Sequence, residues 1–127
     1  MVMTEDKQSI LVVDDESDTL ILLFDLLSAE GYDVLGSSSP LDAIGHFRRR
    51  TFDVVLADVR MPEMDGLELL QRIKQISPRT RVILVTAFAD HQMRAEALRR
   101  GGDAFLEKPF RGEDLRRVLE GQAQGTS

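Results

Sequence analysis

The chain contains no cysteine and no tryptophan, so disulfides, thiolate metal sites and a cysteine nucleophile are all excluded. It has four prolines and only 6 % aromatic residues, with none of the biased composition that marks a disordered or collagen-like chain. No apolar run approaches the roughly 20 residues that span a bilayer, and no basic segment followed by a hydrophobic one opens the N-terminus. Membrane insertion is not expected, and the cytoplasm is the expected location. Basic excess is missing as well. A net charge of -6 leaves nothing to offset phosphate repulsion, so direct nucleic-acid binding is not expected. The one basic cluster, Arg48-Arg49-Arg50, reads as a solvated helix end, where cations favour the negative end of the dipole.

What remains is 127 residues, 43 % hydrophobic and 30 % charged, enough for one core and one domain. Polar composition marks residues 1–8 as a flexible N-terminal tail and 121–127 as a flexible tail or the start of a linker, leaving a domain over 9–120. Inside it, short apolar runs alternate with segments of helical periodicity, the pattern of βα units around a parallel sheet. The runs are apolar at consecutive positions, as in Val54-Val55-Leu56, so both sheet faces must be covered. The fold predicted is an α/β class, three-layer α/β/α sandwich.

Helix signals follow the same order. Leu20, Leu23, Phe24 and Leu27 form one stripe of a first helix, stopped at Gly31. Ser39-Pro40 with Asp42 starts a second, through an N-cap and a first-turn proline. Leu69, Ile73 and Ile76 mark a third that ends before Pro78. A fourth covers about 90–100, capped by Asp90, with a thin apolar face of Met93, Ala97 and Leu98. It should be the most loosely held. The fifth follows Pro109 and turns Leu115, Val118 and Leu119 inward.

The chemistry lies where the runs end. Asp14-Asp15 closes Ile10-Leu11-Val12-Val13, Asp58 closes Val54-Val55-Leu56-Ala57, Thr86 closes Val82-Ile83-Leu84-Val85, and Lys108 follows Ala104-Phe105-Leu106. In an open parallel sheet, loops at the carboxyl ends of the strands build the site. Three carboxylates, one hydroxyl and one ammonium would then converge. Carboxylates about 4 Å apart repel by about 4 kcal/mol at an effective dielectric near 20, so the cluster calls for a cation. With no histidine or cysteine nearby a hard ion fits, and Mg²⁺ takes one or two carboxylates while leaving positions for water, carbonyl and phosphate oxygens. His46 and His91 fall in helices and read as surface residues. An aspartate can attack phosphorus if the transferring oxygens are stabilised. Asp58, standing singly on the middle run, is the candidate nucleophile, while paired Asp14 and Asp15 look built for metal.

This ordered set, together with Met61-Pro62, Asp65-Gly66 and Lys108-Pro109, resembles the receiver domain of bacterial two-component response regulators from Ile10 to Leu119. The resemblance implies a five-stranded parallel sheet in flavodoxin-like, doubly wound order with five helices. It implies that Asp58 is the phosphoacceptor and that Asp15, Asp58 and the Arg60 backbone carbonyl ligate Mg²⁺, with Asp14 acting through water and Mn²⁺ as a substitute ion. Lys108 would pair with the phosphoryl group, and the Lys108-Pro109 bond would be cis. Thr86 and Phe105 match the family's switch positions, whose change would alter the surface of the fourth helix, last strand and fifth helix. The implied partners are a sensor histidine kinase or phosphotransfer protein, a downstream effector domain, and a second copy in a phosphorylation-dependent homodimer.

Three local features modify that expectation. Gly101-Gly102 stands where many members have Gly-Ala, which should loosen the turn before the last strand. Arg60 and Phe88, each two residues past a site residue, would overhang the acyl phosphate and shield it from water. Ala87 is small, as a phosphate passage requires.

Two other functions would place different residues at these positions. A haloacid-dehalogenase-type phosphatase would want a second Asp where Arg60 stands, and a mononucleotide binder would want a Gly/Ser/Thr loop where Asp14-Asp15 stands. Within the receiver reading, the stretch from Asp58 to Leu70 looks like receivers of transcription activators, and no DNA-binding helix pair or ATPase motif follows Glu120. The chain is expected to be a stand-alone phosphorelay receiver, the receiver of a hybrid kinase, or a fragment of a longer regulator.

Overall fold

A computed structural model describes residues 7–121. The tails expected at 1–8 and 121–127 therefore lie almost wholly outside the described residues. Five strands, β1 (Ser9–Val13), β2 (Asp33–Ser37), β3 (Val54–Asp58), β4 (Arg81–Thr86) and β5 (Ala104–Glu107), alternate with five helices. The helices are α1 (Ser17–Ala29), α2 (Pro40–Arg49), α3 (Gly66–Ile76), α4 (His91–Arg99) and α5 (Gly112–Leu119). All pairings are parallel, in the order β2-β1-β3-β4-β5. Chain order reverses between β1 and β3, so a crevice opens there at their carboxyl ends.

The consecutive apolar residues of the strands divide between two cores. Leu11, Val13, Val55, Ala57, Val82 and Leu84 pack under α2, α3 and α4. Ile10, Val12, Val54, Leu56, Ile83 and Val85 pack under α1 and α5. This two-sided burial is why the inner strands read as unbroken apolar runs. Edge strand β2, with Asp33 and Gly36 exposed, buries too little to show such a run.

Caps define several helix starts. The Ser39 hydroxyl accepts from the Asp42 amide at 3.3 Å, Asp65 from the Glu68 amide at 2.9 Å, and Asp90 from the Met93 amide at 2.8 Å. The far end of α5 is held differently. The Arg81 guanidinium donates to the carbonyls of Leu119 and Val118, both at 3.1 Å, and so ties the start of β4 to the end of the helix. Among the described residues, no helix is long and apolar enough to cross a membrane.

Three residues expected to face inward do not. Phe24 is 45 % exposed, Ile76 40 % and Leu98 68 %. A helix lying on a sheet buries a narrow stripe, and residues at its margins fall past the contact line. In α1 the stripe is Leu23 and Leu27; in α3 Leu70 takes the place expected of Ile76; in α4 only Ala97 is buried. His91 is exposed, whereas His46 is mostly covered and meets Asp42 at 3.2 Å. Arg50 ends the basic cluster, lying 4.4 Å over the Phe52 ring and 3.4 Å from Asp33. Gly101 has φ +97° just after α4, and a Cβ on Gly102 would sit 3.0 Å from the Ala97 carbonyl. The glycine pair thus permits a turn close against the helix end.

Candidate functional site

Parallel register puts four of the expected site positions at one edge. Val13 pairs with Ala57, Asp58 with Val85 and Thr86 with Glu107, so the residues after β1, at the ends of β3 and β4, and after β5 share the crevice. Asp14, Asp15 and Asp58 each offer a carboxylate oxygen within 4.8 Å of the others. Asp14 and Asp58 are buried and Asp15 is exposed. The Lys108 ammonium lies 3.6 Å from Asp14, 3.7 Å from Asp58 and 4.0 Å from Glu16. The Lys108-Pro109 bond is cis.

Backbone contacts hold these groups in place. The Glu16 amide donates to Asp14 Oδ1 at 2.9 Å, and the Arg60 amide to Asp58 Oδ1 at 3.4 Å. The Lys108 amide donates to the Thr86 carbonyl at 2.8 Å, which ties the lysine to the end of β4. Gly66 brings the start of α3 hard against β3. A Cβ there would lie 2.5 Å from the Asp58 carbonyl oxygen, so only glycine fits.

Electrostatically the site is a strained anion cluster. Burial pushes the Asp58 carboxyl above the ordinary range; Lys108 and the Arg60 amide pull it down, and Asp15 pushes it up again. Burial likewise raises Asp14, with the Glu16 amide opposing and the Asp58 charge reinforcing. Two buried carboxylates disfavouring their charged forms, beside a third and with one ammonium between them, suit a hard divalent cation with oxygen ligands. The set also suits nucleophilic attack by Asp58, since the ammonium is placed to neutralise oxygens added to that carboxylate.

Thr86 is buried at the same edge, at the end of β4. Its hydroxyl donates to the Phe88 carbonyl at 3.1 Å and accepts from the Phe88 amide at 3.2 Å. The backbone of Phe88 thus engages the hydroxyl both as donor and as acceptor. Phe105 is half-buried on β5 against the α2–α4 core, with the Arg94 guanidinium 4.9 Å over its ring. Arg60, Ala87 and Phe88 are exposed, and Arg60 lines an open cleft with Asp15, Val59, Met61, Pro62 and Asp65.

Glu16 and Arg94 were not marked by the sequence. The acidic run Asp14-Asp15-Glu16 was the available signal for the first. Nothing local signals the second, whose partners lie on other elements.

A family model described as the response regulator receiver domain matches residues 10–120. The transcriptional regulatory protein ZraR of Escherichia coli O157:H7 is 41 % identical over 118 residues, which cover 93 % of this chain and 27 % of that protein. The chain thus spans about a quarter of the length of such regulators. Sporulation initiation phosphotransferase F of Bacillus subtilis strain 168 is 35 % identical over 113 residues, covering 89 % of this chain and 91 % of that one. Among solved structures, a CheY-like receiver domain protein from Methanospirillum hungatei JF-1 superposes with a TM-score of 0.87 at 29 % identity, covering 91 % of this chain and 92 % of that one.

Proposed function

This chain belongs to the response regulator receiver domain family of two-component signalling, and from that premise we propose that Asp58 is the phosphoacceptor of a signalling switch. The observation that carries the proposal is the Lys108 ammonium, 3.7 Å from Asp58 and 3.6 Å from Asp14, within a cluster of three carboxylates. In the proposed reaction an Asp58 carboxylate oxygen attacks the phosphorus of a phosphohistidine on a histidine kinase or phosphotransfer protein. The new P–O bond forms as the P–N bond breaks, and the departing imidazole nitrogen takes a proton. Lys108 neutralises a phosphoryl oxygen, while the Arg60 amide keeps the carboxylate oriented. Asp15, Asp58 and the Arg60 carbonyl would hold Mg²⁺ or Mn²⁺, with Asp14 assisting through water. Bound there, the ion would offset charge on the transferring oxygens.

The domain is proposed to span 9–120 and to act as a regulatory switch in the cytoplasm, its only catalysis being its own phosphorylation and dephosphorylation. After transfer, the Thr86 hydroxyl leaves Phe88 for the phosphoryl group and the Phe105 ring turns inward, reshaping the α4-β5-α5 surface. That surface would control an effector or a phosphorylation-dependent homodimer. Transcriptional output is favoured by the likeness to ZraR and to the regulatory protein AtoC of Escherichia coli K12, each matched over about a quarter of its length. The reading as a stand-alone phosphorelay receiver is favoured by the likeness to sporulation initiation phosphotransferase F, matched over 91 % of its length.

The test is to mix the protein with Mg²⁺ and a small acyl or amido phosphate and measure intact mass. A stable adduct that maps to Asp58 and is lost in Asp58→Asn supports the switch. Rapid multiple turnover without an adduct would make the protein a phosphatase instead, and no reaction at all would sink both readings.

A further inference from the structure

We propose that Arg94 is an intramolecular latch that holds the switch pair, Thr86 and Phe105, in the unphosphorylated arrangement. The proposal rests on the phosphoryl-switch reading above and names a regulator of that same site. Arg94 projects from the second turn of α4, and its guanidinium reaches three different segments. Nε donates to the Ala89 carbonyl at 3.2 Å in the β4–α4 loop, one terminal nitrogen meets Glu107 of β5 at 3.3 Å, and the planar head lies 4.9 Å over the Phe105 ring.

These contacts oppose both motions that switching requires. Residues 86–89 form a short closed loop, tied at one end by the two Thr86–Phe88 hydrogen bonds and at the other by Arg94 on Ala89. A Thr86 hydroxyl that swings toward a phosphoryl group must open this loop, and a Phe105 ring that turns inward must leave the guanidinium face. The same side chain resists each. Its share in holding α4 is large because the rest of the grip is slight: Ala97 is the buried residue of that helix, Met93 is half-buried and Leu98 faces outward.

Guanidinium chemistry suits the role. A planar fork can stack on a ring while donating from its edge to a carbonyl and a carboxylate, whereas a lysine ammonium makes these contacts only one or two at a time. Every contact on so exposed a side chain is weak, so the latch yields when a phosphoryl oxygen competes for Thr86.

The experiment compares wild type, Arg94→Ala and Arg94→Lys, each offered Mg²⁺ and the same small acyl phosphate, with NMR spectra recorded before and after. If the switch-ready population is the reactive one, releasing the latch raises the initial phosphorylation rate about three- to tenfold in both variants. Before any donor is added, their Thr86 methyl and Phe105 ring signals should already lie partway toward those of phosphorylated wild type. A purely structural role would not move resting signals along that line. Phosphorylation of wild type with variants that are no faster, or whose signals stay in place, overturns the latch alone. A faster alanine variant beside a lysine variant that matches wild type overturns it too, because charge would then be responsible and not the three-point contact. A wild type that takes no phosphate removes the underlying reading and the latch together.

Discussion

Replacing Asp58 by asparagine should stabilise the metal-free protein near neutral pH, although it removes the proposed reactive group. Two carboxylate oxygens at the 4.8 Å limit of the cluster repel by about 3.5 kcal/mol at an effective dielectric near 20. Asp58 faces two such neighbours and one compensating ammonium at 3.7 Å, whose attraction is worth about 4.5 kcal/mol on the same scale. Asp15 is exposed, so its share is screened, and the net gain on neutralising Asp58 is about 1–2 kcal/mol. For a domain of this size that is a rise in Tm of about 4–8 °C. The pH dependence has a definite sign. Burial raises the folded-state pKa of Asp58 and Asp14, so between the ordinary carboxylate value and the raised one the folded protein binds more protons than the unfolded chain. Stability therefore falls as pH rises through that window, and the penalty is complete above it. The advantage of the asparagine variant should be greatest near neutrality and shrink on acidification. Saturating Mg²⁺ should reverse the order, since a ligand at about 100 times its Kd adds about 2.7 kcal/mol to a protein that binds it. Urea unfolding of both proteins at neutral and acidic pH, with chelator and with Mg²⁺, checks each point. An asparagine variant less stable than wild type in chelator at neutral pH, or an advantage indifferent to pH, would refute the electrostatic account.

Other substitutions probe the framework around the cluster. Gly66→Ala forces a Cβ to within 2.5 Å of the Asp58 carbonyl oxygen and 2.8 Å of the Val59 Cα, backbone atoms that yield only by shifting β3. It should cost about 2–3 kcal/mol in urea unfolding and slow phosphorylation; unchanged behaviour would show that α3 moves freely relative to the site. Lys108→Ala leaves the Asp14 and Asp58 charges facing each other without their ammonium, which should cost about 2 kcal/mol near neutral pH and about a hundredfold in phosphorylation rate. A variant as stable and as reactive as wild type would remove Lys108 from the mechanism. Arg60→Gly combined with Phe88→Ala should shorten the life of the acyl phosphate about threefold or more, by admitting water. Loss of radiolabel no faster than in the parent would end the shielding idea.

How much of this was legible beforehand depended on whether a signal was local. Asp14, Asp58 and Thr86 each follow an apolar run directly and Lys108 follows one after Glu107, and the sheet carries such residues to one edge whatever the loops do. Strand β2 was harder to read: an edge position exposes Asp33 and Gly36, and its run is broken. Phe24, Ile76 and Leu98 have the spacing of inward residues, yet a few tens of degrees of helix rotation carry them past the contact line. The caps Ser39, Asp65 and Asp90 join side chain and amide only three residues apart, and Ser39 and Asp90 were readable for that reason.

By itself the sequence determined the alternation of strands and helices, the two-sided cover of the sheet and the residue types along the edge that carries the acidic cluster, because burial periodicity and strand ends are properties of neighbouring residues. Only the tertiary structure decided that the Lys108 ammonium lies between Asp14 and Asp58, that the Thr86 hydroxyl is held by Phe88, and that Arg94 joins a loop, a strand and an aromatic ring. Those contacts depend on how separate elements approach one another and on which rotamer each side chain adopts there. Distances between residues tens of positions apart are set by packing, which no local pattern encodes.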